Sequence, residues 1–122
     1  MPVQISAQRF DELVGEAIDL IPAELAEKMD NVAILTAKRP PPDQARRGRT
    51  LLGLYQGVSL DRRSPVSYTS VLPDRITVFR DAHCRLARDE DDLRLRVAHT
   101  VAHEIAHHFG ISDDRLRELG AY

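Results

Sequence analysis

His103 and His107 stand four residues apart, with Glu104 directly after the first. On an α-helix that spacing puts both imidazoles on one face, one turn apart and roughly 6 Å along the axis. Two rings so placed can share a metal ion, and Glu104 can lean toward a water carried by that ion. The pattern H-E-x-x-H is the zinc-hydrolase arrangement, with the carboxylate as general base. Three residues past His107 stands Gly110, and three past that Asp113. A catalytic zinc site takes three protein ligands and keeps one position open. Glycine takes a left-handed backbone cheaply at a helix end, so Gly110 can turn the chain back and Asp113 can offer an oxygen as third ligand. H-E-x-x-H alone also arises by chance on charged surface helices. The glycine and the acid at these two places favour the metal site. Asp114 competes with Asp113, and the register of the motif favours Asp113.

Two further histidines and the lone cysteine are weighed beside these. His99 extends the stripe one turn upstream, but it lies two turns from His107, roughly 12 Å along the axis, too far for both to bind one ion. It reads as a support for the ligands or as a hydrogen-bonded core residue. His108 points away from the stripe and reads as structural. His83 and Cys84 are adjacent, but their spacing suits no closed zinc site, so a partly buried structural role is expected.

The elements that must position the motif follow from periodicity. A helix of residues 91–109 carries it, with the acidic run Asp89-Glu90-Asp91-Asp92 at its positive end. Leu93, Val97, Val101, Ile105 and either His108 or Phe109 form its expected buried side. Upstream, Ser6 is an expected N-cap for an amphipathic helix whose stripe is Phe10, Leu13, Val14, Ala17, Ile18 and Ile21. Pro22 ends that helix or starts a new turn, and residues 22–29 read as a short second helical piece. Residues 31–38 and 50–55 read as strands. A third strand, 75–80, alternates, with Ile76, Val78 and Arg80 on one face and Thr77 and Phe79 on the other. Asp81 is the expected cap of a helical turn over 81–88. Three consecutive prolines, Pro40 to Pro42, forbid regular structure in 39–49, and 59–70 is also irregular. The arginines there lack the interleaved aromatics of a nucleic-acid surface and read as solvated. After Asp113, Leu116 and Leu119 can pin a last short helix.

The run His103-Glu104-x-x-His107-x-x-Gly110-x-x-Asp113 resembles the motif of the zincin-like metallopeptidases on the metzincin side, and most nearly the small single-domain minimal zincin-like proteins of bacteria. The likeness extends through Leu51-Leu52-Gly53-Leu54-Tyr55-Gln56-Gly57 and residues 72–80, which look like scaffold. The resemblance implies an α+β fold. In it, an N-terminal helix and a small mixed sheet of three to four strands pack on a long metal-binding helix, in one domain over residues 1–122. It implies Zn²⁺ held by His103, His107 and Asp113, and hydrolysis of peptide bonds with Glu104 as general base. Peptide substrate would lie along an exposed sheet edge above the metal helix. Tyr55 and Tyr68 are the phenols available to steady an oxyanion. Metzincins also carry a methionine turn downstream of the third ligand, whereas the methionines here are Met1 and Met29, both upstream. The pocket wall below the metal is therefore expected to be slight, which invites an alternative. A zincin-fold metal-binding module with little turnover would act through a protein partner docked at that place.

Composition narrows the classes. A chain of 122 residues suits one core. A formal net charge of −2 gives no bulk attraction to nucleic acid or anionic membrane. Small metal-dependent ribonucleases with three motif histidines lack the glutamate after the first histidine, so Glu104 argues against that class. One cysteine excludes an internal disulfide framework. No apolar run is long enough to span a membrane, and the start lacks the basic head and apolar stretch of a signal peptide. A cytoplasmic protein is expected.

Overall fold

The computed structural model describes residues 3–43, 51–57 and 74–120. The arginines from Arg46 to Arg49, the stretch 59–70 with Tyr68, and the 72–73 turn lie outside the described residues.

Ser6 caps α1 (Ala7–Ile18) by accepting the Arg9 amide at 3.0 Å. The helix buries Phe10, Leu13, Val14 and Ala17, as the periodicity anticipates. Pro22 then caps α2 (Ala23–Ala26), which tightens into a 3-10 turn at Glu27–Met29. The proline opens this piece because its missing N–H is one that no helix start can use. Three strands follow: β1 (Val32–Ala37), β2 (Gly53–Gln56) and β3 (Asp74–Phe79). They form one mixed sheet in the order β1-β3-β2, with β1 parallel and β2 antiparallel to β3.

The chain leaves β3 directly into α3 (Arg80–Leu86). Arg80 is thus the first helical residue and not part of the strand face. The cap position is Phe79 and not Asp81, because the extended backbone ends there. Asp81 instead pairs with Arg39 at 3.3 Å. Ile76 and Val78 are buried as the alternation requires, and Phe79 on the opposite face is buried too, outside the main core cluster.

Asp89 caps α4 (Glu90–Phe109), accepting the Asp92 amide at 2.8 Å, and Asp92 in turn accepts from the Arg88 amide at 2.9 Å. Leu93, Val97, Val101 and Ile105 are fully buried. The expected continuation through His108 or Phe109 fails: both are exposed, Phe109 at 43%. The buried face ends at Ala106, since the helix runs past the core by one turn. Beyond it, α5 (Asp113–Glu118) buries Leu116. One cluster joins residues of α1, α2, β3, α4 and α5, so the described elements share a core. None of their helices is long and apolar enough to cross a membrane.

His83 is fully buried on α3, not partly as its sequence suggests. Its Nδ1 lies 2.9 Å from the Phe79 carbonyl and its Nε2 lies 2.8 Å from Thr100 Oγ1. Burial holds its pKa below the ordinary value, the Phe79 carbonyl opposes that shift, and the charge of Arg96 adds to it. The folded state thus keeps His83 neutral, while the unfolded chain takes up a proton near the ordinary imidazole value. The stability it contributes is whole above that value and falls as pH drops through the lowered folded pKa. Urea denaturation near neutrality and at about pH 5 should show a smaller acid loss for His83→Phe than for the parent protein.

Candidate active site

The histidine stripe forms on α4 as its spacing requires. The ring centroids of His103 and His107 are 5.7 Å apart with the planes nearly perpendicular at 73°. His99 lies on the other side of His103, with centroids 4.2 Å apart and planes tilted by 34°. The Nε2 atom of His103 is buried. Burial lowers the His103 pKa, and the neighbouring His99 and His107 lower it further, while the Asp113 carboxylate works in the opposite direction. A lowered pKa keeps the imidazole neutral, which is the form that ligates a metal.

The chain turns after the stripe where glycine stands. Gly110 has φ 72° and ψ 25°. Its amide reaches the His107 carbonyl at 3.4 Å, and the Ile111 amide reaches the Ala106 carbonyl at 2.8 Å. These are the paired bonds of a Schellman cap, which satisfies the last carbonyls of the helix. Ser112 then caps α5 by accepting the Arg115 amide at 3.1 Å, and Asp113 is the first, exposed residue of that helix. Arg115 clamps α5 onto α2 through Glu24, with Nε to Oε2 at 3.0 Å. Asp114 is engaged with Arg117 at 3.1 Å. The structure therefore pairs His103 with His107 and sets Asp113 within electrostatic reach of His103. Among the described residues no three His, Cys, Asp or Glu side chains gather closely enough to hold one ion.

Glu104 sits on the neighbouring ridge of α4, half-buried beneath β2. Gly53 rests over this ridge so closely that an added Cβ would lie 2.7 Å from Thr100 Cγ2 and 3.8 Å from Glu104 Cγ. Two residues along the same strand face, the Tyr55 ring stacks on His108 at 3.9 Å between centroids and 14° between planes. Strand and helix thus run alongside one another, with β2 touching Thr100, Glu104 and His108 at successive turns. The Phe79 amide bonds to the Leu52 carbonyl at 3.0 Å. By antiparallel alternation, Gly53 and Tyr55 then occupy the pairs that are not hydrogen-bonded to β3. Their backbone groups point away from β3, to the outer side of β2. On that side the Tyr55 amide faces the Glu104 carboxylate. Burial raises the Glu104 pKa, and the charge of His107 and this amide partly offset it.

The sequence model of the zincin-like metallopeptidase family matches residues 29–121. The chain belongs to that family. The match takes in the sheet, α3, α4 and α5 and leaves α1 outside. No curated protein matches the chain. Membership of a metallopeptidase family implies a metal, typically zinc, and peptide or protein substrates. The donor set of this zincin-like chain suits such an ion: two adjacent imidazoles, one with a depressed pKa, beside a half-buried carboxylate with a raised pKa.

Some of what shapes the site was not foreseen. The Tyr55 amide faces Glu104, while its phenol donates to Asp74 Oδ2 at 2.7 Å. Gly53 and Thr100 set the spacing of strand and helix. A glycine inside a strand pattern is the usual sign of close backbone approach, and it was the available signal for this contact. His108 stacks on Tyr55 and lies 3.7 Å from Asp74 Oδ2.

Proposed function

We propose that this zincin-like chain is a zinc-dependent peptidase in which His103, His107 and Asp113 hold the ion and Glu104 is the general base. The observation that carries the reading is the placement of Glu104: one residue from a ligand pair, half-buried beneath β2, and raised in pKa. Zinc held there would supply Lewis acidity, polarising a peptide carbonyl and acidifying water. Glu104 takes the proton from that water and delivers it to the leaving amine, a task suited to a carboxylate whose pKa is pushed toward neutrality. An extended peptide can add along the outer side of β2, which pairs with no other strand among the described residues and where Gly53 offers its amide and carbonyl. Asp113 is preferred to Asp114 because its charge is felt at His103, whereas Asp114 is paired with Arg117. This assignment requires the exposed Asp113 side chain to rotate toward the histidines.

That requirement is the observation in favour of a second reading, a metal-binding module with little turnover that works through a protein partner. A library of unstructured peptides incubated with the zinc-supplied protein separates the two. The peptidase reading expects cleavage that a chelator stops and added zinc restores. Zinc binding without cleavage of any peptide selects the module.

A further inference from the structure

Gly110, Ile111 and Ser112 are all that separates α4 from α5. So short a link fixes where α5 begins, but its roll about its own axis is set by what it packs on. At about 100° per residue, Asp113 and Arg115 stand on opposite flanks of Leu116, and Asp114 stands on the side away from it. Leu116 is fully buried and joins the core that also holds Leu25 of α2. The Asp114 side chain is 88% exposed and pairs with Arg117 on its own helix. On the Arg115 flank the guanidinium meets Glu24 of α2 with two bonds, Nε to Oε2 at 3.0 Å and Nη2 to Oε1. Its Nη1 is held at 2.7 Å from Glu118 Oε2, one turn on. A planar fork on a carboxylate fixes orientation as well as distance. Leu116 alone would be a pivot. With one flank clamped to Glu24, the helix cannot roll, and the flank that carries Asp113 is fixed with it.

We propose that Arg115 and Glu24 are positioning residues for Asp113, holding the roll of α5 at which that carboxylate can swing onto a metal carried by His103 and His107. The proposal rests on the reading of Asp113 as third ligand. It adds a role for a segment that the family match leaves out, since that match begins at residue 29 and Glu24 precedes it. It also accounts for the choice between neighbours: the roll that seats Leu116 and closes the clamp turns Asp114 to solvent. With the clamp open, α5 spends part of its time rolled away. Apparent metal affinity then falls by the fraction of time lost.

The test is the zinc affinity of the full chain, measured by competition with a colorimetric chelator, for the parent, Glu24→Arg, Asp113→Ala and the double variant. Glu24→Arg sets two cations against each other where the clamp was. It should weaken zinc binding roughly fivefold, the size expected when a well-formed exposed pair is lost. Asp113→Ala should weaken it more, leaving the low affinity of two imidazoles. Adding Glu24→Arg to Asp113→Ala should then change little, by less than about twofold, because the remaining ligands do not sit on α5. A merely structural clamp would lower affinity equally in both backgrounds, and that result overturns the proposal. Loss in Asp113→Ala with none in Glu24→Arg also overturns it and leaves the ligand set standing. Zinc affinity that Asp113→Ala does not change, or a parent that binds no zinc, removes the third-ligand reading and the proposal together. Should Glu24→Arg fail to fold, Arg115→Gln opens the same clamp from α5, and unchanged zinc affinity there overturns the proposal equally.

Discussion

Glu104→Gln is expected to lower peptide hydrolysis roughly 10²–10⁴-fold, the usual contribution of a general base. Zinc content and fold should remain. The amide side chain has the same length and fills the same half-buried place beneath β2. What it cannot do is take a proton from water. Stability should hold or rise slightly, because burial already disfavours the charged form of Glu104. Steady-state kinetics on a cleaved peptide, with thermal unfolding of the same preparation, checks both halves. Activity kept within a few-fold of the parent would remove Glu104 from the base role.

Gly53→Ala should carry the next largest effect, although position 53 contacts no proposed ligand. The new methyl would stand 2.7 Å from Thr100 Cγ2 and 3.4 Å from the Thr77 carbonyl oxygen. Neither neighbour gives way readily. Thr77 presents backbone, and Thr100 is a β-branched residue in mid-helix, tied to His83. The strand must lift from α4, at a cost of about 1–3 kcal/mol for overpacking. Activity should fall with it, because the strand that lies over Glu104 is displaced. Urea denaturation gives the first quantity and kcat the second. Combining Gly53→Ala with Thr100→Ser removes the obstructing methyl and should recover most of both. A Gly53→Ala protein with parental stability and kcat would mean that the close seating of β2 has no consequence.

What the sequence made legible was local. The four-residue spacing of His103 and His107, the acids at the start of α4 and the left-handed Gly110 are all encoded within one helix and its two ends. The buried stripe of α1 and the alternation of Ile76 and Val78 are likewise read from periodicity. What stayed hidden was contact between segments far apart in the chain. Nothing near Gly53 announces that its neighbour is Thr100, and nothing near His83 announces that its ring captures the hydroxyl of Thr100. Asp81 does not cap α3 and Arg80 does not extend β3, because the strand runs into the helix without a turn, so Phe79 both ends the strand and caps the helix. The buried side of α4 ends one turn before its periodicity does, since periodicity cannot tell where a helix outruns the core. For Asp113, the motif gives the position in the chain. Its place in space depends on how Arg115 and Leu116 dock α5 against the domain.

The most direct measurement is the zinc content of the purified, zinc-supplied protein alongside His103→Ala, Asp113→Ala and Glu104→Ala. The account predicts near-stoichiometric zinc in the parent and in Glu104→Ala, and its loss in the two ligand variants. A parent protein that takes up no zinc, or one whose zinc survives His103→Ala, would contradict it.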